Sequence, residues 1–332
     1  MRDGQSIARC ACVLPALLLV AACGTSPGGP DQYPAQPEHA GTWGIYRLEL
    51  SSESVDLVYS SEHSLHRLDL TSDGATIVFQ EDFGQDTVTD SEICLVGADG
   101  TGYERLTTNA WLDAYPCWSP DDTEILFLSW PSHPDGTMDI YVMGAGGGPP
   151  TRLYDSGFHD GDCAWEDTSI VFTRESQVWI MNEDGGNPRQ VTDYALAGQQ
   201  GAADLPFGDY DPRLRPGGDL VCFDRMVDDQ TPSGNYDFFT IAPEGTGETR
   251  ITDTGYSQFI AEWSHDGELL VFTVAAVEGE GPFDLYTMNA DGSAQTRLTA
   301  SPGTDTAPAW SPDGRRIVFE TERSGREGDV YV

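Results

Sequence analysis

The chain ends on APAWSPDGRRIVFETERSGREGDVYV, residues 307–332, and most of that stretch recurs upstream. LTSDG begins at Leu70, WSPDD at Trp118, WEDTS at Trp165, LRPGG at Leu214, WSHDG at Trp263 and WSPDG at Trp310, so successive anchors are 48, 47, 49, 49 and 47 residues apart. A short β-type run ending in phenylalanine follows each anchor, at Phe79, Phe127, Phe172, Phe223, Phe272 and Phe319. A second run comes next (ICLV, IYVM, VWIM, FTIA, LYTM, DVYV). Most units then add a turn such as ADG and a fourth run such as TRLT. Self-similarity at a fixed period marks a repeat architecture. Four short strands separated by turn residues make an antiparallel sheet that cannot bury both faces alone, and packing such sheets around an axis solves this.

AWSPDGRRIVF followed by DVYV, and DLYTMNADGSAQTRLT at 284–299, resemble the repeats of TolB-like β-propellers, and the resemblance extends over about residues 43–332. It implies an all-β fold, a six-bladed propeller of four-stranded antiparallel blades. It also implies partner recognition at the cell envelope, although the additional domain that TolB carries before its propeller has no counterpart here. Two units depart from the pattern: Glu166-Asp167 replaces Ser-Pro, and Leu214 replaces Trp.

The last unit shows three strands and lacks the fourth, while GIYRLELSSESVDLVYS at 44–60 aligns with the end of a unit. The N-terminal segment is therefore expected to complete the C-terminal blade and remove exposed sheet edges. One third-strand candidate is surplus, Ile45–Leu48 or Val330–Val332, and the repeat alone does not choose between them. A truncated gene would also end this abruptly.

Ahead of the repeats, Arg2 and Arg9 flank a short n-region, and the apolar run that follows, VLPALLLVAA, ends at Cys23 and is too short to span a bilayer. Residues 1–22 read as an export signal and VAAC as a lipobox-like site, with Cys23 as the lipid attachment point. Residues 23–42, rich in Gly and Pro, read as a tether reaching roughly 25 Å. The propeller occupies 43–332, and the expected location is the cell envelope, on the periplasmic side of the outer membrane or the cell surface. Cys94, Cys117, Cys163 and Cys222 sit among strand-like neighbours and read as buried free thiols.

The chain has 55 acidic residues against 17 basic ones, all arginine, for a net charge of −38. Such a surface repels nucleic acid and anionic lipid, leaving a basic protein or peptide as the expected partner, with the membrane reached only through the lipid anchor. The ring is expected to be monomeric. The first-to-second and third-to-fourth strand turns lie on one face of the ring and are nearly constant in length, as turn geometry requires. Variable connections lie on the other, among them DYALAGQQGAADLPFGDYDPR. Variable loops on a rigid scaffold usually carry binding. Candidate contacts on that face are Trp111, Asp113, Tyr115, His159, Asp162, Phe207, Asp209, Tyr210, Asp211, Glu262 and Asp305, because rings supply contact area and carboxylates attract Arg and Lys. Asp113, Asp162, Asp211 and Asp305 occupy related positions and raise the option of bound Ca2+.

Signals for catalysis are thin. GTSPG at 24–28 spells a nucleophile elbow but lies in the tether. The alternative is a metal-dependent polyuronate lyase using His63, His66, His133 and His159, which lack ligand spacing.

Overall fold

The computed structural model describes residues 43–83, 90–109, 111–131, 136–203, 205–230, 234–275, 282–300 and 303–322. They form twenty-four strands in six four-stranded antiparallel sheets, each a blade. The first blade runs from β3 (Ser64–Leu70) through β4 (Thr76–Asp82) and β5 (Ser91–Gly97) to β6 (Glu104–Arg105). The second has β7 (Leu112–Trp118) innermost, the third β11 (Asp160–Glu166), the fourth β15 (Asp209–Leu214) and the fifth β19 (Gln258–Trp263). The sixth combines β23 (Thr304–Trp310) and β24 (Arg316–Glu322) with β1 (Trp43–Glu49) and β2 (Ser54–Ser61). Each innermost strand packs against the next, and β23 returns to β3.

The third-strand position of the sixth blade belongs to β1. Trp43 pairs with Glu322 and Glu49 with Arg316, while Trp43 pairs with Ser61 and Glu49 with Ser54 on the other side. Val330–Val332 lies outside the described residues.

The core consists of wedges between blades rather than one central mass. Val78 and Ile93 of the first blade meet Trp118, Ile125 and Phe127 of the second. Ile45, Val58 and Val318 of the sixth meet Leu65, Ile77 and Phe79 of the first. A second strand such as β8 (Glu124–Trp130) is thus apolar on both faces, because each face meets another sheet. Outside the sixth blade the fourth strands are short and largely exposed, as at β22 (Thr296–Arg297).

The repeated polar letters close turns and staple blades. In the first-to-second turns, Asp73, Asp121, Asp266 and Asp313 each accept a backbone N–H two residues on and a hydroxyl from Thr71, Ser119, Ser264 or Ser311. These bonds hold all four carboxyls below the usual range. The Thr of each RLT-like strand accepts a third-strand N–H, as Thr107 does from Ile93 at 2.9 Å and Thr299 from Leu285 at 2.9 Å. Indole Nε1 of Trp263 donates to Arg213 O and that of Trp310 to Glu262 O, tying each blade to the preceding one.

Candidate functional site

Every innermost strand breaks register at the same place. The irregularities fall between His66 and Asp69, Ala114 and Cys117, Gly161 and Ala164, Tyr210 and Arg213, Phe259 and Glu262, and Thr306 and Ala309. The residue after each break has positive φ: Arg67 (56°), Tyr115 (55°), Asp162 (47°), Asp211 (48°), Ile260 (55°) and Ala307 (46°). A non-glycine residue held there costs of order 1–3 kcal/mol and persists only where the surroundings over-determine it. A bulge re-aims the side chain it carries. Here the re-aimed residues meet around the axis.

Arg67 belongs to the first blade, yet its Nη2 lies 2.5 Å from Asp211 Oδ1 of the fourth and 4.0 Å from Asp162 Oδ1 of the third. Its guanidinium carbon sits 4.5 Å from the Tyr115 ring centroid of the second. Opposite blades are joined across the channel by one side chain. Burial and the neighbouring Asp211 push the Asp162 carboxyl up to about 6. Burial with Asp211 and Asp162 holds Asp224 well above the carboxylate range.

On the turn face Arg67, Tyr115, Ile260 and Ala307 of this ring border a cavity of about 230 Å³. Its lining includes Asp69, Arg213, Glu262, Glu166, Trp165 and Trp263. Arg213 Nε donates to Glu262 Oε2 at 2.7 Å. Asp69 accepts the backbone N–H of Trp118 at 2.7 Å, and burial pushes its carboxyl up to about 7. Glu166 also rises to about 7, through burial first and then Asp167 and Glu262.

Residues 246–332 match the family model described as TolB beta propeller domain. Over that stretch the propeller resembles that of TolB. A solved structure from Agrobacterium tumefaciens, provisionally named TolB, superposes with a TM-score of 0.65 at 15% identity, covering 86% of this chain and 100% of that one. TolB from Acinetobacter baumannii superposes with a TM-score of 0.56 at 16% identity, over 87% of this chain and 65% of that one. At such identities the likeness speaks for the fold. An uncharacterized protein of Agrobacterium fabrum is 30% identical over 195 residues, 54% of this chain and 58% of that protein, so the chain spans little more than half the length of that curated relative.

Within this TolB-like propeller the eleven candidate contacts fall at several levels rather than on one rim. Tyr115, Asp162 and Asp211 belong to the axial ring, and Glu262 lies beyond it, toward the turn face. Asp113, Asp209 and Asp305 stand two residues before the ring position and are fully buried. Asp113 accepts from Ser129 Oγ at 2.5 Å and Asn109 Nδ2 at 2.7 Å. Asp209 is held in a fork by Arg225 at 2.5 and 3.0 Å. Trp111 donates its backbone N–H to Asn109 Oδ1. His159 Nδ1 accepts the Met138 N–H at 3.1 Å, with the ring edge-on to Trp130. Phe207 and Tyr210 pack beside a small cluster of Ala203, Met226 and Tyr236, which seats the 193–208 segment on the fourth blade. The structure thus spreads these residues over several levels: Asp113, Asp209 and Asp305 are buried just before their bulges, and the bulges send Asp162 and Asp211 toward the axis.

The functional reading of the sequence missed Arg67, Arg213 and Asp69. A column three residues before each repeat anchor contains Arg67, Tyr115, Asp162, Asp211, Ile260 and Ala307, so the signal was present. Nothing in the letters showed that this column faces the axis. For metal, the described residues contain no group of three or more His, Cys, Asp or Glu arranged to hold an ion. His63 packs at a tilt against Phe83, His66 bridges Asp82 and Glu320, and His265 lines the turn-face cavity, while His133 lies outside the described residues. Cys94, Cys163 and Cys222 are buried, and Cys117 is partly exposed.

Proposed function

We propose that this TolB-like propeller is a non-catalytic binding module for a protein or peptide that presents basic side chains, and that the partner docks at the turn-face mouth of the channel. The observation that carries the reading is the cavity. It is concave, walled by tryptophan and proline, and lined by Asp69, Glu166 and Glu262 against the single Arg213 beyond the ring. Aromatic walls supply contact area, and carboxylates within a low-dielectric wall attract a cation more strongly than surface acids do. The net charge of −38 steers such a partner toward the protein from a distance. The lyase alternative is disfavoured, since among the described residues His63, His66 and His159 make separate contacts and belong to no group arranged to hold an ion.

The apolar run ending at Cys23 supports export and lipid attachment, which would hold the ring near a membrane through the Gly- and Pro-rich tether. Changing Cys23→Ser should move the protein out of the membrane fraction; a variant that stays there with unchanged mass opposes the anchor.

The test of the docking reading is titration with an oligoarginine peptide. A Glu166→Gln, Glu262→Gln pair should weaken binding about tenfold or more, as loss of charged contacts worth about 1.4 kcal/mol requires. An Asp99→Asn, Asp291→Asn pair removes two ionised carboxylates from exposed third-to-fourth turns and should weaken it little. Equal losses in the two pairs would mean that only net charge acts.

A further inference from the structure

Arg67 is the only basic residue among the six axial positions, and it lies in an acidic and aromatic cage built by three other blades. Tyr115 offers its ring face 4.5 Å from the guanidinium carbon, and Asp211 and Asp162 lie 2.5 and 4.0 Å from Nη2. Planar stacking plus carboxylates is the chemistry that selects guanidinium over a compact ammonium. The fit is incomplete. Arg67 is 8% exposed, yet its Nη1 has no hydrogen-bond partner. Asp224, 2% exposed and next to Asp211 and Asp162, has an Oδ1 without a partner. A buried donor and a buried acceptor are thus both unsatisfied in one cage, at about 1–3 kcal/mol each. The side chain reaches the cage from a backbone position that itself costs free energy. Arg67 and Tyr115 also line the turn-face cavity, whereas Asp162, Asp211 and Asp224 do not, so the cavity meets the cage at Arg67 itself.

We propose that this cage is a guanidinium-binding site which Arg67 fills in cis, and that an arginine side chain entering from the turn face takes its place. The second half rests on the docking reading above; the first half does not. Displacement moves no covalent bond and exchanges one guanidinium for another, so affinity depends on how much better the incoming group satisfies Nη1-like and Asp224 contacts than Arg67 does.

The experiment uses the full chain with Arg67→Ala and the probe N-ethylguanidinium, which replaces the deleted head group. The variant should melt lower than the parent, and millimolar probe should raise its melting temperature saturably, recovering about half of the loss or more. Sodium chloride at equal ionic strength should not, and on the parent, where Arg67 competes for the cage, the probe should act far more weakly. Arg67→Met, whose side chain refills the space, should show no saturable recovery. If Arg67→Ala does not fold alone, refolding from urea with and without the probe reads the same point, and probe-dependent recovery supports the site. No saturable effect on Arg67→Ala, no probe-dependent refolding, or equal effects on Arg67→Ala and Arg67→Met overturns it. A positive rescue together with absent oligoarginine binding would keep the cage and remove the docking reading.

Discussion

Arg225 shows how the buried acids of the inner strands are stabilised. Its guanidinium forks onto Asp209, also bonds Glu248, and lies 4.3 Å from the Tyr194 ring centroid and 4.6 Å from that of Phe239. Breaking a buried pair from one side leaves an uncompensated charge, so Arg225→Met should cost about 3 kcal/mol. Urea unfolding measures this, and a loss under about 0.5 kcal/mol, the scale of a surface substitution, would show that the pair is not coupled to folding. Glu166 illustrates the opposite case, a carboxyl raised from 4.5 to about 7 with no cation beside it. A group whose folded pKa exceeds its unfolded value takes up a proton on folding, so its contribution falls as pH rises from about 4.5 to about 7. Asp69 and Glu320, both raised to about 7, act in the same direction. Glu166→Gln should therefore flatten the fall in stability across this window and melt higher than the parent at pH 8. An unchanged slope would contradict the burial argument. At this scale the sequence was least legible. The acids of 113, 209 and 305 looked like surface contacts because exposed and buried carboxylates share one letter, and their partners Ser129 and Arg225 lie sixteen residues away on the paired strand.

The sixth blade is where the element scale matters most. β1 contributes Ile45, Tyr46 and Leu48, each essentially without exposure, and pairs with strands from both ends of the chain. Without 44–60, β24 keeps an unpaired edge and the wedges on both sides of the blade lose their apolar fill. Deletion should give a protein that aggregates and lacks the parent's cooperative melt; a deletion variant that remains monomeric and melts like the parent would sink the closure. This part of the fold was legible, because the period near 48 and the incomplete last unit are read from strand signals and turn residues alone. The choice of β1 as third strand was not. IYRL and VYV carry equal β-type letters, and only the paired register decides.

At the scale of the whole molecule, a ring of bulges converts a repeat into a channel that is not symmetric. The four positions from Arg67 to Asp211 are ionic or aromatic, while Ile260 and Ala307 complete the circle with apolar side chains. The repeat explains why these six residues meet, and the departures from the repeat explain what they can bind. On the loop face, which drew attention by its length variation, Asp113 and Asp209 are spent on internal bonds, and the cavity lies on the opposite side. The direct test is amide hydrogen exchange of the full chain with and without oligoarginine. Protection should rise at Leu68–Leu70, Cys117–Ser119 and Glu262–Trp263, which border the cavity, and stay unchanged at residues 194–203 of the loop face. Protection confined to the loop face, or spread evenly over both faces, would contradict the account.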